Sequence, residues 1–139
     1  MAFAEDRPAD PEATPRRLRA QSQVDFELDF FAAVLDRDPC HTAALRVHAS
    51  NLAATGQAAR ALQMDRRLVR LQPDRPVPWY NLACSYAVLG MTDPAFAALQ
   101  RSVDLGYRLL NHMARDPDLK SLRRDPRFAR LLRKVLSAD

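Results

Sequence analysis

Cys40, His41 and His48 are the residues whose types and spacing could support metal chemistry in this chain of 139 residues. Thiolate and imidazole groups both suit zinc, and residues seven positions apart return to one face of a helix. The sequence offers no evident fourth ligand, because Cys84 lies far away and forms no paired metal-binding spacing. We therefore expect no metal site. Structural roles are predicted instead, with His48 hydrogen-bonded inside the core.

Motifs for catalysis are also missing from the sequence. No serine occupies a nucleophile elbow, no glycine-rich phosphate loop occurs, and His112 stands apart from the other two histidines. The chain is therefore predicted to be non-enzymatic, with no catalytic residue and no cofactor.

Basic residues concentrate toward the carboxyl end. The chain has a formal charge of +4, and residues 108–134 contain nine basic side chains against three acidic ones. Such a face could neutralise nucleic-acid phosphates. The same residues would lie opposite an apolar helical stripe, which favours an ordinary solvated surface. Binding of nucleic acid or another polyanion through the Arg-rich C-terminal helices is therefore the alternative function, and nucleic acid is not the partner we expect.

The composition favours helices. Glycine occurs only three times, whereas the good helix formers Ala, Leu and Arg are abundant. No stretch approaches the roughly 18 apolar residues of a membrane span, and residues 1–23 lack the apolar run of a signal peptide. Two unpaired cysteines are typical of a reducing compartment. We expect an all-α protein of the cytoplasm without membrane contact.

The most informative pattern is an internal repeat of 34 residues. Shifting the sequence by this interval aligns Gly56 with Gly90 and Ala61 with Ala95. Glycine permits a tight turn after a helix, and alanine lets the two helices of a hairpin approach closely. The pattern predicts antiparallel helix hairpins. The two predicted repeats span residues 42–75 and 76–109.

Segments on both sides complete the predicted repeat domain of residues 23–139. A leading helix is expected over residues 24–39, and capping helices are expected over residues 110–136. Residues 1–22 are rich in proline and charge and contain few large apolar side chains. They are predicted to form a disordered tail.

Three Asp-Pro dipeptides mark predicted helix starts. Asp93, Asp116 and Asp125 each precede a proline. A carboxylate can accept hydrogen bonds from the first free amides of a helix, and proline at the first helical position costs no hydrogen bond. We expect all three aspartates to be N-caps.

The repeat resembles the tetratricopeptide repeat, whose order and spacing of residues are followed by Trp79, Leu82, Ala83, Tyr86, Gly90, Ala95 and Leu99. The segment after residue 105 is similar to a C-terminal extension common in bacterial members of that family. The resemblance implies a short α-solenoid, a tetratricopeptide-like superhelix, whose concave groove binds a peptide or helix of a protein partner. Two departures from the family pattern are His48 and Asp65, at positions that are usually apolar.

The resemblance also implies which residues contact the partner, since the first helices of successive repeats line the groove. Arg46 could bind a carboxylate, while Tyr80 and Asn81 could contact an extended backbone. Ser50 and Cys84 occupy positions where chaperone-binding members carry asparagine, so that clamp is absent. A protein or peptide partner is expected, and a homodimer is possible. The implied partner-binding residues are Arg46, Ser50, Ala53, Val77, Tyr80, Asn81 and Cys84.

Overall fold

The computed structural model describes residues 15–138, with side chains described from residue 23 onward. This part of the chain forms seven α-helices, one 3-10 helix and no strand, which confirms the all-α prediction. None of the helices described is long and apolar enough to cross a membrane. The elements are α1 (Pro15–Arg37), α2 (Thr42–Ala54), α3 (Ala58–Leu71), α4 (Pro76–Val88), α5 (Thr92–Asp104), α6 (Leu110–Arg115), the 3-10 helix Pro117–Leu122 and α7 (Pro126–Leu136).

The helices stack in chain order. Helices α2 and α3 form one hairpin and α4 and α5 the next, while α3 packs against α4 across the two repeats. A large apolar core extends from α3 to α7. A smaller cluster joins α1, α2 and α3 through Leu35, Leu45 and Leu68. Helices α1 to α5 therefore mainly contact their neighbours in sequence, as in an α-solenoid, whereas the 3-10 helix packs back against α4 and α7 packs against α5.

Small and large repeat residues play different packing roles. Ala61, Ala83 and Ala95 are fully buried, so the helices approach closely at these positions. Leu99 is also fully buried. Trp79 is only partly buried, and its indole Nε1 donates a hydrogen bond to the carbonyl oxygen of Pro73 at 2.9 Å. The tryptophan therefore connects α4 to the preceding linker in addition to packing in its hairpin.

Glycine ends the helices where the repeat predicts a turn. Gly56 and Gly90 have φ angles of +77° and +74°. Residues other than glycine rarely adopt this backbone conformation. After the first of them, the amide of Gln57 donates to the carbonyl oxygen of Leu52 at 2.8 Å, which closes the helix end. A Cβ atom on either glycine would meet no atom within 4 Å. The backbone angle, not space, therefore requires glycine.

Two predicted boundaries differ from the structure. Helix α1 begins at Pro15, so residues 15–22 are helical although they were assigned to the disordered tail. The remaining residues of that predicted tail, 1–14, lie outside the described residues. The leading helix also ends at Arg37, two residues before its predicted end.

Two of the three predicted aspartate caps are confirmed. The carboxylate of Asp116 accepts from the amide of Asp118, and that of Asp125 accepts from the amide of Arg127. The prediction for Asp93 is wrong because α5 already begins at Thr92, directly after the Gly90 turn, which places Asp93 inside the first turn. Its carboxylate instead accepts from Arg127 Nη1 at 2.9 Å.

Candidate partner-binding groove

A groove runs between α2 and α4, and the described residues enclose two adjoining cavities in it. The cap cavity, about 530 Å³, is bounded on one side by the C-terminal segment that contains Asp116 and Asp118. The linker cavity, about 680 Å³, lies beside the α3–α4 linker that contains Arg75. Arg46 and Asn81 line both cavities, so the two form one continuous surface. Volumes of this order are typical of ligand sites.

All seven residues implied by the family resemblance line this groove. Arg46, Ser50 and Ala53 are exposed on α2, and Val77 is 49% exposed on α4. Tyr80 and Cys84, in contrast, are only 3% and 8% exposed. The groove therefore combines accessible side chains with side chains that belong to the core. Val77 lines the linker cavity, and the other six line the cap cavity: Arg46, Ser50, Ala53, Tyr80, Asn81 and Cys84.

Tyr80 is held in place from two sides. Its hydroxyl donates a hydrogen bond of 2.6 Å to Asp116 Oδ2, and its ring stacks on Tyr107 with the ring centroids 4.3 Å apart. Burial and the hydrogen bond to Asp116 both raise the pKa of the Tyr80 phenol. The hydroxyl is thus already engaged within the protein. Replacing Tyr80 with alanine would remove core packing, so this residue cannot be used to separate binding from stability.

Asp116 connects the C-terminal segment to α4. Besides Tyr80, its Oδ2 lies 3.7 Å from Cys84 Sγ and 3.4 Å from His112 Nε2, while Oδ1 accepts from the amide of Asp118 at 3.0 Å. Asp116, Asp118 and His112 were not predicted as site residues. The Asp-Pro motif was visible, but Tyr80 lies 36 residues earlier in the chain. Nothing local in the sequence indicates this contact.

Cys84, Asp116 and Asp118 place one sulfur and two carboxylate oxygens within 4.8 Å of one another. This donor set was not predicted, and a divalent ion would accept such ligands. Two of these groups already take part in hydrogen bonds. The carboxylate of Asp116 accepts a hydrogen bond from the Tyr80 hydroxyl, and the Cys84 thiol contacts the same carboxylate. Burial and the neighbouring carboxylates raise the pKa of the Cys84 thiol, which keeps it neutral. The cluster therefore serves as a hydrogen-bonded contact between α4 and the C-terminal segment.

Asp65 lies on the α3 wall of the cap cavity and is only 5% exposed. Ser85 Oγ donates to its Oδ2 at 2.6 Å. Burial raises the pKa of the carboxyl group to about 6, and the hydrogen bond from Ser85 opposes this shift. This unusual residue of the first repeat thus forms a polar contact between the two repeats instead of an apolar one.

The candidate metal ligands near residue 40 have separate roles. Cys40 is exposed, whereas His41 caps α2 by accepting the amide of Ala44 on Nδ1 at 3.1 Å. His48 is buried, and burial lowers its pKa. Its Nδ1 has no hydrogen-bond partner among the described residues, so the predicted internal hydrogen bond is wrong for this atom. The side chain replaces an apolar residue in a tightly packed position.

Several side chains of the basic C-terminal region have partners within the described chain. Arg127 pairs with Asp93 and Asp125, and Lys134 pairs with Asp104. Arg108 donates to two backbone carbonyl groups, and Arg123 Nη2 donates to the carbonyl oxygen of Asp116 at 2.7 Å. Four of the nine basic side chains of residues 108–134 are therefore already engaged in contacts within the chain.

Comparison with known proteins identifies relatives of the repeat. No protein-family model matches the sequence. The cell division cycle protein 16 homolog of Homo sapiens is 32% identical over 59 residues, which are 42% of this chain and 10% of that protein. A chloroplastic protein of Arabidopsis thaliana is 30% identical over 81 residues, 56% of this chain and 24% of that protein. The chain thus spans only a small part of the curated relatives it matches.

Solved structures match over most of the chain. A crystal structure of MamA has a TM-score of 0.70 at 17% identity, covering 90% of this chain and 74% of that one. The structure described as MamA RS-1 ArsTM double mutant has a TM-score of 0.69 at 20% identity, covering 87% and 68%. These neighbours are tetratricopeptide-type helical repeats, and identities this low bear on the fold alone. Together with the 34-residue period, the matches show that this chain has a tetratricopeptide-like helical repeat fold.

Proposed function

We propose that this chain is a non-enzymatic protein-binding module that holds a peptide or helix of a partner in the groove between α2 and α4. The observation that carries the proposal is the convergence of all seven implied contact residues on two cavities that share Arg46 and Asn81. A groove built on packed helices is formed before the partner arrives. The receptor therefore loses little conformational entropy on binding.

The chemistry of the groove supports binding over catalysis. The groove thiol of Cys84 is buried and its pKa is raised, and the pKa of the Tyr80 phenol is raised as well. Both groups therefore remain protonated at neutral pH, whereas a nucleophile has to be ionised or activated by a base. The accessible groove residues Arg46, Ser50 and Ala53 offer hydrogen bonds and space for a partner.

We also propose a reducing compartment such as the cytoplasm. Cys40 and Cys84 are both free thiols, one exposed and one buried. Exposed free thiols persist where the environment is reducing.

Blocking the groove tests the proposal. Ala53→Trp and Arg46→Glu alter exposed positions in the groove, whereas Ala97→Trp and Arg66→Glu make the same changes at exposed positions outside both cavities. The four variants and the wild-type chain would be used to capture proteins from the source cells, with quantitative mass spectrometry as the readout. We expect the groove variants to lose the captured partner and the control variants to keep it.

Stability measurements complete this test. All four positions are exposed, so we expect unchanged helicity by circular dichroism and melting temperatures close to that of the wild-type chain. Retention of the same partners by both groove variants would exclude the groove as the binding surface.

A further inference from the structure

The charges of the groove are separated between its two ends. Three carboxylates line the cap cavity, from Asp65, Asp116 and Asp118, and Arg46 is the cation beside them. The linker cavity is lined by Arg46 and Arg75, with no carboxylate among its described lining residues. A chain with a formal charge of +4 therefore has a locally acidic binding surface at one end of its groove.

The helix dipoles reinforce this separation. Thr42 and Pro76, in the first turns of α2 and α4, line the linker cavity. Ala54 and Val88, at the last residues of the same helices, line the cap cavity. Both helices therefore direct the partial positive charge of their amino ends toward the linker cavity and the negative charge of their carboxyl ends toward the cap cavity.

The carboxylates of the cap cavity have few cationic partners. Asp65 and Asp116 are 5% and 7% exposed, and no Arg or Lys of the described chain forms an ion pair with either. Asp116 lies near His112, and Asp65 accepts a hydrogen bond from Ser85. Charged groups that are this deeply buried are normally paired. An incoming cation that contacts the exposed Asp118 would also interact with the charge of Asp116, because their carboxylate oxygens lie within 4.8 Å of each other.

We propose that the groove selects a partner segment that places a Lys or Arg side chain in the cap cavity, beside Asp118 and Asp116, and a carboxylate in the linker cavity, beside Arg46 and Arg75. The inference rests on the proposed function and specifies its partner. The two charged ends fix the direction in which the segment lies, because reversing it would bring like charges together. The small side chains of Ser50 and Ala53 leave room for the segment in the cap cavity.

A random peptide library displayed on phage, selected against the full chain, tests this proposal. We expect the enriched peptides to carry Lys or Arg separated by a few residues from Asp or Glu, in one constant order. Selection against the double variant Asp118→Arg, Arg46→Glu should reverse that order. The matched double variant Asp36→Arg, Arg66→Glu changes exposed residues outside both cavities and should leave it unchanged.

Single substitutions test the same contacts without charge reversal. In fluorescence polarisation with a synthetic enriched peptide, Asp118→Asn should weaken binding about tenfold, as expected for loss of a charge-assisted hydrogen bond. Asp36→Asn serves as the control and should have no effect. Circular dichroism of every variant ensures that a loss of binding is not a loss of folding.

The outcomes separate this inference from the proposed function. Enriched peptides without paired charges that still lose binding to Ala53→Trp would overturn the charge selection and leave the groove function standing. Peptides that bind Ala53→Trp as well as the wild-type chain, or a library that yields no enrichment, would overturn both. Occupation of the groove by a second copy of this chain, detected by light scattering and abolished by Ala53→Trp, would also overturn the peptide proposal.

Discussion

Individual polar residues in this protein are placed where a repeat protein usually has apolar ones. Asp65 is the strongest case, because its carboxyl group is buried against Ser85 of the next repeat. The contact contributes to the wall of the cap cavity, but the buried carboxylate loses its hydration, which lowers the free energy of unfolding. A residue that weakens the fold in this way is typical of a functional surface.

The titration of Asp65 predicts a pH dependence of stability. Its pKa is about 6 in the folded protein against 3.8 as the ordinary value, so the folded state binds the proton more tightly than the unfolded state. The free energy of unfolding therefore falls as pH rises from about 4 to about 6. Asp65→Asn removes the titrating group, so this decrease in the free energy of unfolding no longer occurs, and the amide oxygen still accepts the hydrogen bond from Ser85. We expect it to stabilise the protein at pH 7 by roughly 1 to 3 kcal/mol.

Urea unfolding of the wild-type chain and Asp65→Asn at several pH values measures this effect. The difference between the two proteins should be small near pH 4 and should grow up to about pH 6. Asp36→Asn, an exposed aspartate on α1, is the control for general charge effects. A difference that is the same at every pH would contradict the assigned burial of Asp65.

At the scale of elements, the C-terminal segment is positioned by caps and by contacts with the repeats. Asp116 caps the 3-10 helix and accepts from Tyr80 of α4, and Ser121 Oγ donates to the carbonyl oxygen of Ala87 near the end of that helix. The segment predicted as a solenoid cap is therefore also a wall of the groove. The same side chains stabilise the last repeat and shape the binding surface.

The N-cap of α7 should slow amide exchange at the start of that helix. Asp125 accepts from the amide of Arg127, and nearby hydrogen bonds from Arg127 lower its pKa to about 2. Asp125→Ala removes the acceptor, so we expect the Arg127 amide to exchange with deuterium roughly fivefold faster. Asp93→Ala also removes a partner of the Arg127 side chain but leaves this cap intact. Equal exchange rates in the two variants would show that the cap does not hold the helix end.

At the scale of the whole molecule, net charge and local charge point to different partners. The pI of about 9.6 favours polyanions, whereas the cap cavity favours cations. Several basic C-terminal side chains form ion pairs or donate to backbone carbonyl groups, so fewer basic side chains remain for contacts with phosphates.

The homodimer stays a prediction. Phe26 and Phe30 of α1 are exposed apolar residues that a second copy of the chain could cover.

A titration with nucleic acid decides between these partner classes. We expect random-sequence RNA and DNA to bind weakly at about 50 mM salt, and to lose that binding at about 200 mM, as measured by fluorescence polarisation. Arg130→Glu together with Arg133→Glu changes two exposed basic residues of α7 and should abolish what binding remains. Tight binding that persists at the higher salt concentration would favour the Arg-rich surface as the functional one.

The repeat architecture can be predicted from the sequence, because the signals that define it are local. Gly56 and Gly90 are needed for backbone angles within their own turns, and Ala61 and Ala95 are needed where two helices of one hairpin approach. Such requirements recur with the repeat and are visible in one chain. The family pattern also predicted that Arg46 lies in the groove, because the position of a residue in the repeat determines which face of the helix it occupies.

The sequence pattern does not show which side chains of α3 and of the C-terminal segment complete the walls of the groove. The contact between Tyr80 and Asp116 joins residues 36 positions apart, and its existence depends on how the C-terminal segment folds back onto α4. The burial of Tyr80 and Asp65, and hence their altered pKa values, follows from that docking and from the packing of α3 against α4. These features depend on distances between elements, which the periodicity of a sequence does not encode.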